Sequence, residues 1–280
     1  MFRVDYAAAV HLGHPILKRR RRRADRIPFL MYHSLSDQAL GLRPYYETTT
    51  SPAVFHRQMA QLHGLGLQGV SVKEALRRRL SQEVSEPCVA ITFDDGYRDV
   101  YSEALPVLRE FGFTATVYVI ANRCTQERTQ FKGRDCLTVG ELRELSRHGV
   151  EIGSHTVSHP QLHDLEWKEI EREIGEAKAT IQEATGSPID SFCYPYAFPE
   201  TDAGFVQRFK SLLQEKQYRN AVTTVIGTVD DESDIFMLPR LPVNTFDDDR
   251  LFQAKLDGAY DWLHAPQYAL KSLKQVFSRR

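Results

Sequence analysis

The stretch Ile91-Thr92-Phe93-Asp94-Asp95-Gly96-Tyr97 sets two carboxylates side by side at the end of an apolar run. On extended backbone, neighbouring side chains point to opposite faces, so one carboxylate can bind a cation while the other addresses water on it. Gly96 lets the chain turn sharply beneath them. Asp-Asp-Gly is also an ordinary helix cap, so it needs a partner to mean more. His155-Thr156-Val157-Ser158-His159 is that partner. Histidines four apart lie on one face of a helical turn and can reach one cation. His159 and His163 repeat the spacing, but Ser154-His155 closes a strand-like stretch, whereas His163 precedes a long surface helix and reads as solvent-facing. Two imidazoles plus one carboxylate leave coordination positions open for water and substrate, as a catalytic metal site requires.

The elements that must position these residues alternate strand and helix. Ile27–Tyr32, Cys88–Phe93, Thr114–Ile120, Val150–Gly153, Ser191–Tyr194, Ala221–Val225 and Leu238–Val243 read as strands. Ser51-Pro52 opens a helix whose Phe55, Met59, Leu62 and Leu65 recur at helical spacing. Helices are also expected over Lys73–Leu80, Asp99–Phe111, Phe205–Leu213 and Arg250–Lys255. Thr138 to Glu141 is a capping box. Ile170, Ile174, Ala177 and Ile181 form one apolar stripe, stopped by Gly186 and Pro188. Such alternation implies a parallel α/β architecture with six or seven units, too few for a regular eightfold barrel. Chemistry then gathers at the carboxyl ends of strands, where Asp94, Asp95, His155 and Tyr196 all fall.

Thr92-Phe93-Asp94-Asp95-Gly96 followed by Ser154-His155-Thr156-Val157-Ser158-His159 resembles the first two motifs of the polysaccharide deacetylases, the fourth carbohydrate esterase family, with its NodB homology domain. Phe192-Cys193-Tyr194-Pro195-Tyr196 resembles the third motif, and the likeness runs from about Pro28 to Val243. The resemblance implies an irregular (β/α)7-type barrel as a single catalytic domain over 28–280. It implies a divalent metal, commonly zinc, and removal of N-acetyl groups from amino sugars in a polysaccharide, oligosaccharide or glycan precursor. Carried over, Asp94 is the general base and Asp95, His155 and His159 are the metal ligands. Pro195, Tyr196 and Tyr97 fall on the substrate side, with the Tyr196 backbone N–H facing the developing oxyanion.

The sequence departs from the pattern in three places. Cys193 stands where an Arg usually braces the base, and Ala197 where Gly is common. The Asp-rich fourth motif is missing near Thr223 to Asp234. The late Leu-x-His motif is missing too, and Trp262-Leu263-His264 lies too far downstream. Met31-Tyr32-His33 and Leu238-Pro239-Arg240-Leu241-Pro242 instead resemble a variant branch seen among exopolysaccharide deacetylases. There Arg240 is expected to pair with Asp94 from the pocket edge, between two stiffening prolines. His33 is expected to enter the pocket as proton donor to the leaving amine.

Composition bounds these readings. With 42% apolar and 26% charged residues the chain is an ordinary globular protein, and no run of 18 apolar residues could span a membrane. Residues 1–27 carry eight Lys or Arg against two Asp, a surplus of six, so the rest of the chain carries a deficit of seven. This basic N-terminal arm, with Lys18 to Arg23 at its centre, is expected to be solvated or to touch anionic lipid headgroups. The acidic body speaks against nucleic acid. The arm lacks the order of a secretory signal, and Cys88, Cys124, Cys136 and Cys193 suggest no disulfide framework, which points to the cytoplasm. Two rival functions fit parts of this pattern: a non-catalytic glycan-binding protein on the same scaffold, and a metal-dependent amidase acting on small nitrogen compounds.

Overall fold

A computed structural model describes residues 4–14, 26–38, 40–81 and 86–278. The basic run Lys18 to Arg23 lies outside the described residues. Eight parallel strands form the central sheet: β1 (Phe29–Tyr32), β2 (Gln68–Val70), β3 (Cys88–Phe93), β4 (Thr116–Val119), β5 (Glu151–Ser154), β6 (Ser191–Cys193), β7 (Asn220–Ile226) and β8 (Leu238–Pro242). β1 pairs with β8 on one edge and β3 on the other, which closes seven of them into a barrel. β2 flanks the opening half of β3, where Gly69 faces Val89, and β4 takes over at Thr92. The architecture is a single irregular α/β barrel of the (β/α)7 type.

Strand parity sorts the side chains into two layers. Leu30, Tyr32, Ile91, Phe93 and Val117 join the apolar layer under the helices. Phe29, Ala90, Tyr118, Cys193, Val222 and Leu238 belong to a smaller cluster inside the ring. Gly153 is required here, since a Cβ would sit 2.4 Å from the Tyr118 ring.

Helices wrap the ring: α1 (Val4–Ala7), α2 (Pro52–Gly64), α3 (Val72–Leu80), α4 (Leu105–Glu110), α5 (Val139–Arg147), α6 (Trp167–Thr185), α7 (Ala203–Glu215), α8 (Asp249–Leu256) and α9 (His264–Ser278). Their starts follow the side chains expected to cap them. Ser51 accepts from the Val54 N–H ahead of Pro52, the Thr138–Glu141 capping box is complete, and Gly186 ends α6 at φ 71°. Leu65 departs from its expected stripe, being 38% exposed, because α2 stops at Gly64. The expected helix from Asp99 begins instead as a π-helical turn over Val100–Ala104.

Residues 4–14 are not a free arm. α1 runs into a π-helical turn, Ala8–Gly13, which buries Ala9 and Val10. Tyr6 donates to Asp248 and His14 contacts Asp257 at 3.0 Å, which ties this segment to both ends of α8. Among the described residues no helix is long and apolar enough to cross a membrane.

Candidate metal and catalytic site

The carboxyl end of β3 carries Asp94 and then turns at once. Asp95 adopts φ 68° and Gly96 follows at 66°, pressed so close to β4 that a Cβ would lie 3.0 Å from Val119 Cγ1. The turn points the two carboxylates apart, Asp94 into the barrel mouth and Asp95 toward the loop after β5. That loop brings in both histidines, although not by helical spacing. Residues 155–159 are irregular, with Thr156 at φ 68° and His159 at φ 62°, so the expected helical turn is replaced by two left-handed bends. Each such bend costs about 1–2 kcal/mol for a residue with a Cβ, and the loop keeps them because it is braced. Glu173, on α6, is 2% exposed. Its carboxylate accepts from the N–H groups of Val157 and Ser158 and from the Ser158 hydroxyl, each at 2.9 Å. Thr156 Oγ1 accepts from the His159 N–H at 2.9 Å.

Asp95 Oδ1 consequently lies 3.5 Å from His155 Nε2 and 3.2 Å from His159 Nε2, and the three atoms fall within 4.8 Å of one another. The edge of a tetrahedron with metal–ligand bonds of ~2.0–2.1 Å is roughly 3.3 Å, so these separations fit one cation. The oxygen is buried and has no hydrogen-bond partner among the described residues. His155 Nδ1 donates to the Cys193 carbonyl at 2.8 Å, which turns the lone pair of Nε2 toward Asp95. Burial opposes a charged His155, but Cys193 and Asp95 outweigh it and lift the imidazole well above its ordinary 6.5. A cation between these groups would take that proton's place. The donor set therefore fits a divalent metal. His163 stands apart, 44% exposed and paired with Asp202 at 3.3 Å.

Arg240 lies beneath Asp94, not at the pocket edge, and is fully buried. All five of its N–H groups are used. Nε donates to the Thr223 carbonyl at 2.9 Å. Nη1 donates to Thr92 Oγ1 at 3.0 Å and Asp94 Oδ1 at 2.7 Å. Nη2 donates to Asp94 Oδ2 at 2.8 Å and Cys193 Sγ at 3.2 Å. The small Cys193 side chain leaves the space that this guanidinium fills. Burial pushes the Asp94 carboxyl up, but the Arg240 charge and its two bonds override that and hold it at about 2. Asp94, His155 and Cys193 also approach one another closely enough to suggest a second metal set, but the Arg240 cation occupies that side.

His33 follows β1, is 21% exposed, and brings Nε2 to 3.9 Å from Asp94 Oδ2. Burial lowers its imidazole below the ordinary value, against the pull of Asp94. Tyr196, at φ 56° and 43% exposed, lays its ring 4.5 Å from that of His159, while Pro195 beneath it is buried. Tyr97 is only 4% exposed. Burial and the neighbouring Asp95 raise its hydroxyl, as expected of a side chain packed behind Asp95 and away from solvent. His264 contacts Glu200 at 2.7 Å.

Two features of the site escape a reading by motif. Glu173 interrupts the stripe Ile170, Ile174, Ala177, Ile181, and a charged residue on an otherwise buried face was its signal. The hairpin over 130–135, with Phe131 5.1 Å from the His159 ring, has strands of two residues each and no pattern to betray it.

Residues 81–219 match the sequence model of the family described as Polysaccharide deacetylase. YxkH of Bacillus subtilis (strain 168), placed by its name among these deacetylases, is 29% identical over 220 residues, 78% of this chain and 72% of its own. The poly-beta-1,6-N-acetyl-D-glucosamine N-deacetylase of Escherichia coli (strain K12) is 30% identical over 137 residues, 45% of this chain but only 20% of its own length. The solved structure of Streptococcus pyogenes deacetylase PplD in complex with acetate superposes with a TM-score of 0.69 at 22% identity, over 82% of this chain and 98% of that one. With the barrel, the Asp-Asp-Gly turn and the matched sequence in agreement, the chain belongs to the polysaccharide deacetylase family.

Proposed function

We infer that the protein is a metal-dependent N-deacetylase acting on N-acetylated amino sugars of a polysaccharide, oligosaccharide or glycan precursor. One observation carries this reading: an unpartnered buried oxygen of Asp95 faces two imidazole nitrogens, beside a second carboxylate held ionised by a buried guanidinium. A protein that only held a glycan would have no need of that second carboxylate.

Asp95, His155 and His159 would hold the ion. Bound there, a divalent metal, zinc being common in the family, would polarise the acetamide carbonyl and acidify water. Asp94 takes a proton from the attacking water, and Arg240 keeps it free of protons until then. The Tyr196 backbone N–H would face the oxyanion; its left-handed residue is held by Thr224 Oγ1 donating to its carbonyl at 2.9 Å. His33, with Nε2 3.9 Å from Asp94 Oδ2, would receive that proton and deliver it to the departing amine. Acetate and a free amino sugar result.

The test is acetate release from N-acetylglucosamine oligomers, with metal content measured on the same sample. Release that needs one divalent ion per chain is expected. His155→Ala and His159→Ala should each lose the ion, and His163→Ala should keep it. Equal loss in the His163 variant would mean the ligand set is wrong, and no release from any metal-loaded sample would overturn the deacetylase reading.

A further inference from the structure

The hairpin over 130–135 is built to hold one side chain at the mouth of the site. Its turn is Lys132-Gly133, with φ 50° and 77°, the two-residue loop that demands left-handed backbone at both positions. Lys132 pays about 1–2 kcal/mol to stand where Asn or Gly would be at ease. The base of the hairpin is tied down. Arg134 donates to Ser34 Oγ at 2.8 Å and to the Gln38 carbonyl at 2.7 Å, and the Arg98 N–H donates to the Asp135 carbonyl at 2.9 Å.

The consequence is an exposed ammonium parked over two ring faces, 4.7 Å from the centroid of Phe131 and 5.3 Å from that of Tyr196. Both rings also flank His159, so this platform adjoins the proposed metal ligands. Among the described residues no carboxylate lies within 4 Å of Lys132, whereas Arg134 on the same hairpin donates three hydrogen bonds. Sugars stack on exposed aromatic faces, and a sugar settling on this platform must cover or displace the ammonium. Desolvating a cation without giving it a counter-charge is costly. A neutral glycan meets that cost and an anionic one does not.

We propose that Lys132 is a specificity-determining residue that selects N-acetylated glycans bearing an anionic group, a carboxylate or a phosphate, on the sugar next to the acetamido unit. This rests on the deacetylase reading of the same site, and the experiment separates the two. Three oligosaccharides of equal length are compared: N-acetylglucosamine alone, N-acetylglucosamine alternating with glucuronic acid, and N-acetylglucosamine bearing a phosphodiester on each neighbouring unit. Binding is measured by calorimetry on the metal-stripped full chain, and acetate release on the metal-loaded one.

Wild type should bind at least one anionic oligosaccharide about tenfold more tightly than the neutral one, and added salt should erode the difference. Lys132→Ala and Lys132→Glu should remove the preference through affinity and KM with little change in kcat, and Lys132→Arg should restore it. The glucuronate and phosphodiester arms show which anion is meant. A preference unchanged in Lys132→Glu, or tightest binding of the neutral oligomer by wild type, overturns the proposal. A Lys132-dependent preference with no acetate released from any substrate would support the proposal and sink the deacetylase reading.

Discussion

Asp94 sits under opposing pressures, and the outcome decides its chemistry. Burial alone would raise its carboxyl above the ordinary carboxylate value, and the Arg240 fork reverses that. Asp94→Asn should therefore keep its metal while losing about 10²–10⁴-fold in turnover, since the amide accepts no proton from water. Metal analysis and acetate release on one preparation check this, and near-normal turnover would remove Asp94 from the mechanism. Arg240→Ala should cost about 3–5 kcal/mol in denaturant unfolding, because it strands a buried carboxylate. Arg240→Lys should recover part of that loss, keeping the charge without the fork. Wild-type stability in the alanine variant would show that Asp94 finds another partner. The pairing was legible because Cys193 left a vacancy in a known motif and Leu-Pro-Arg-Leu-Pro offered a candidate. Depth was not legible. Arg240 faces inward from β8, and only the closed ring turns that direction into full burial.

At the scale of elements, the loop over 155–159 depends on α6 more than on itself. Glu173→Ala removes three hydrogen bonds to that loop without touching a proposed ligand. Zinc affinity, measured against a competing chelator, should fall about 10–100-fold, as when support behind a ligand is lost. Unchanged affinity would mean that Thr156 and the barrel hold the loop unaided. The start of α5 carries a different kind of dependence. Burial would raise the Glu141 carboxyl, but Arg128 and the Thr138 N–H bring it from 4.5 to about 2. A folded value below the unfolded one stabilises the protein above about pH 4.5, and that contribution fades as pH falls toward about 2. The Tm gap between wild type and Glu141→Gln should accordingly be full at pH 6 and narrow below pH 4.5; a constant gap would contradict the assignment. Capping box and apolar stripes were readable because their signals are local, three or four residues long. The bends at Thr156 and His159 were not, because a remote glutamate and a neighbouring strand impose them.

Across the whole molecule, the first described segment and a late helix make one unit. Ala9 and Val10 are buried while Tyr6 and His14 reach Asp248 and Asp257. A reading dominated by the arginine run hid this, since charge was the louder signal in residues 1–27. Val10→Asp should lower Tm by several degrees, at about 2–4 °C per kcal/mol in a chain of this size, with metal content unchanged. An unaltered Tm would mean that the segment contributes nothing to stability. The barrel itself imposes a geometric limit on traffic. Phe29, Val222 and Leu238 fill the ring from below, and the Arg240 guanidinium seals the layer under Asp94. Among the described residues, these side chains fill the ring below Asp94. A long chain acted on at Asp94 would therefore have to approach and leave from the carboxyl-end side of the strands, with the filled ring at its back.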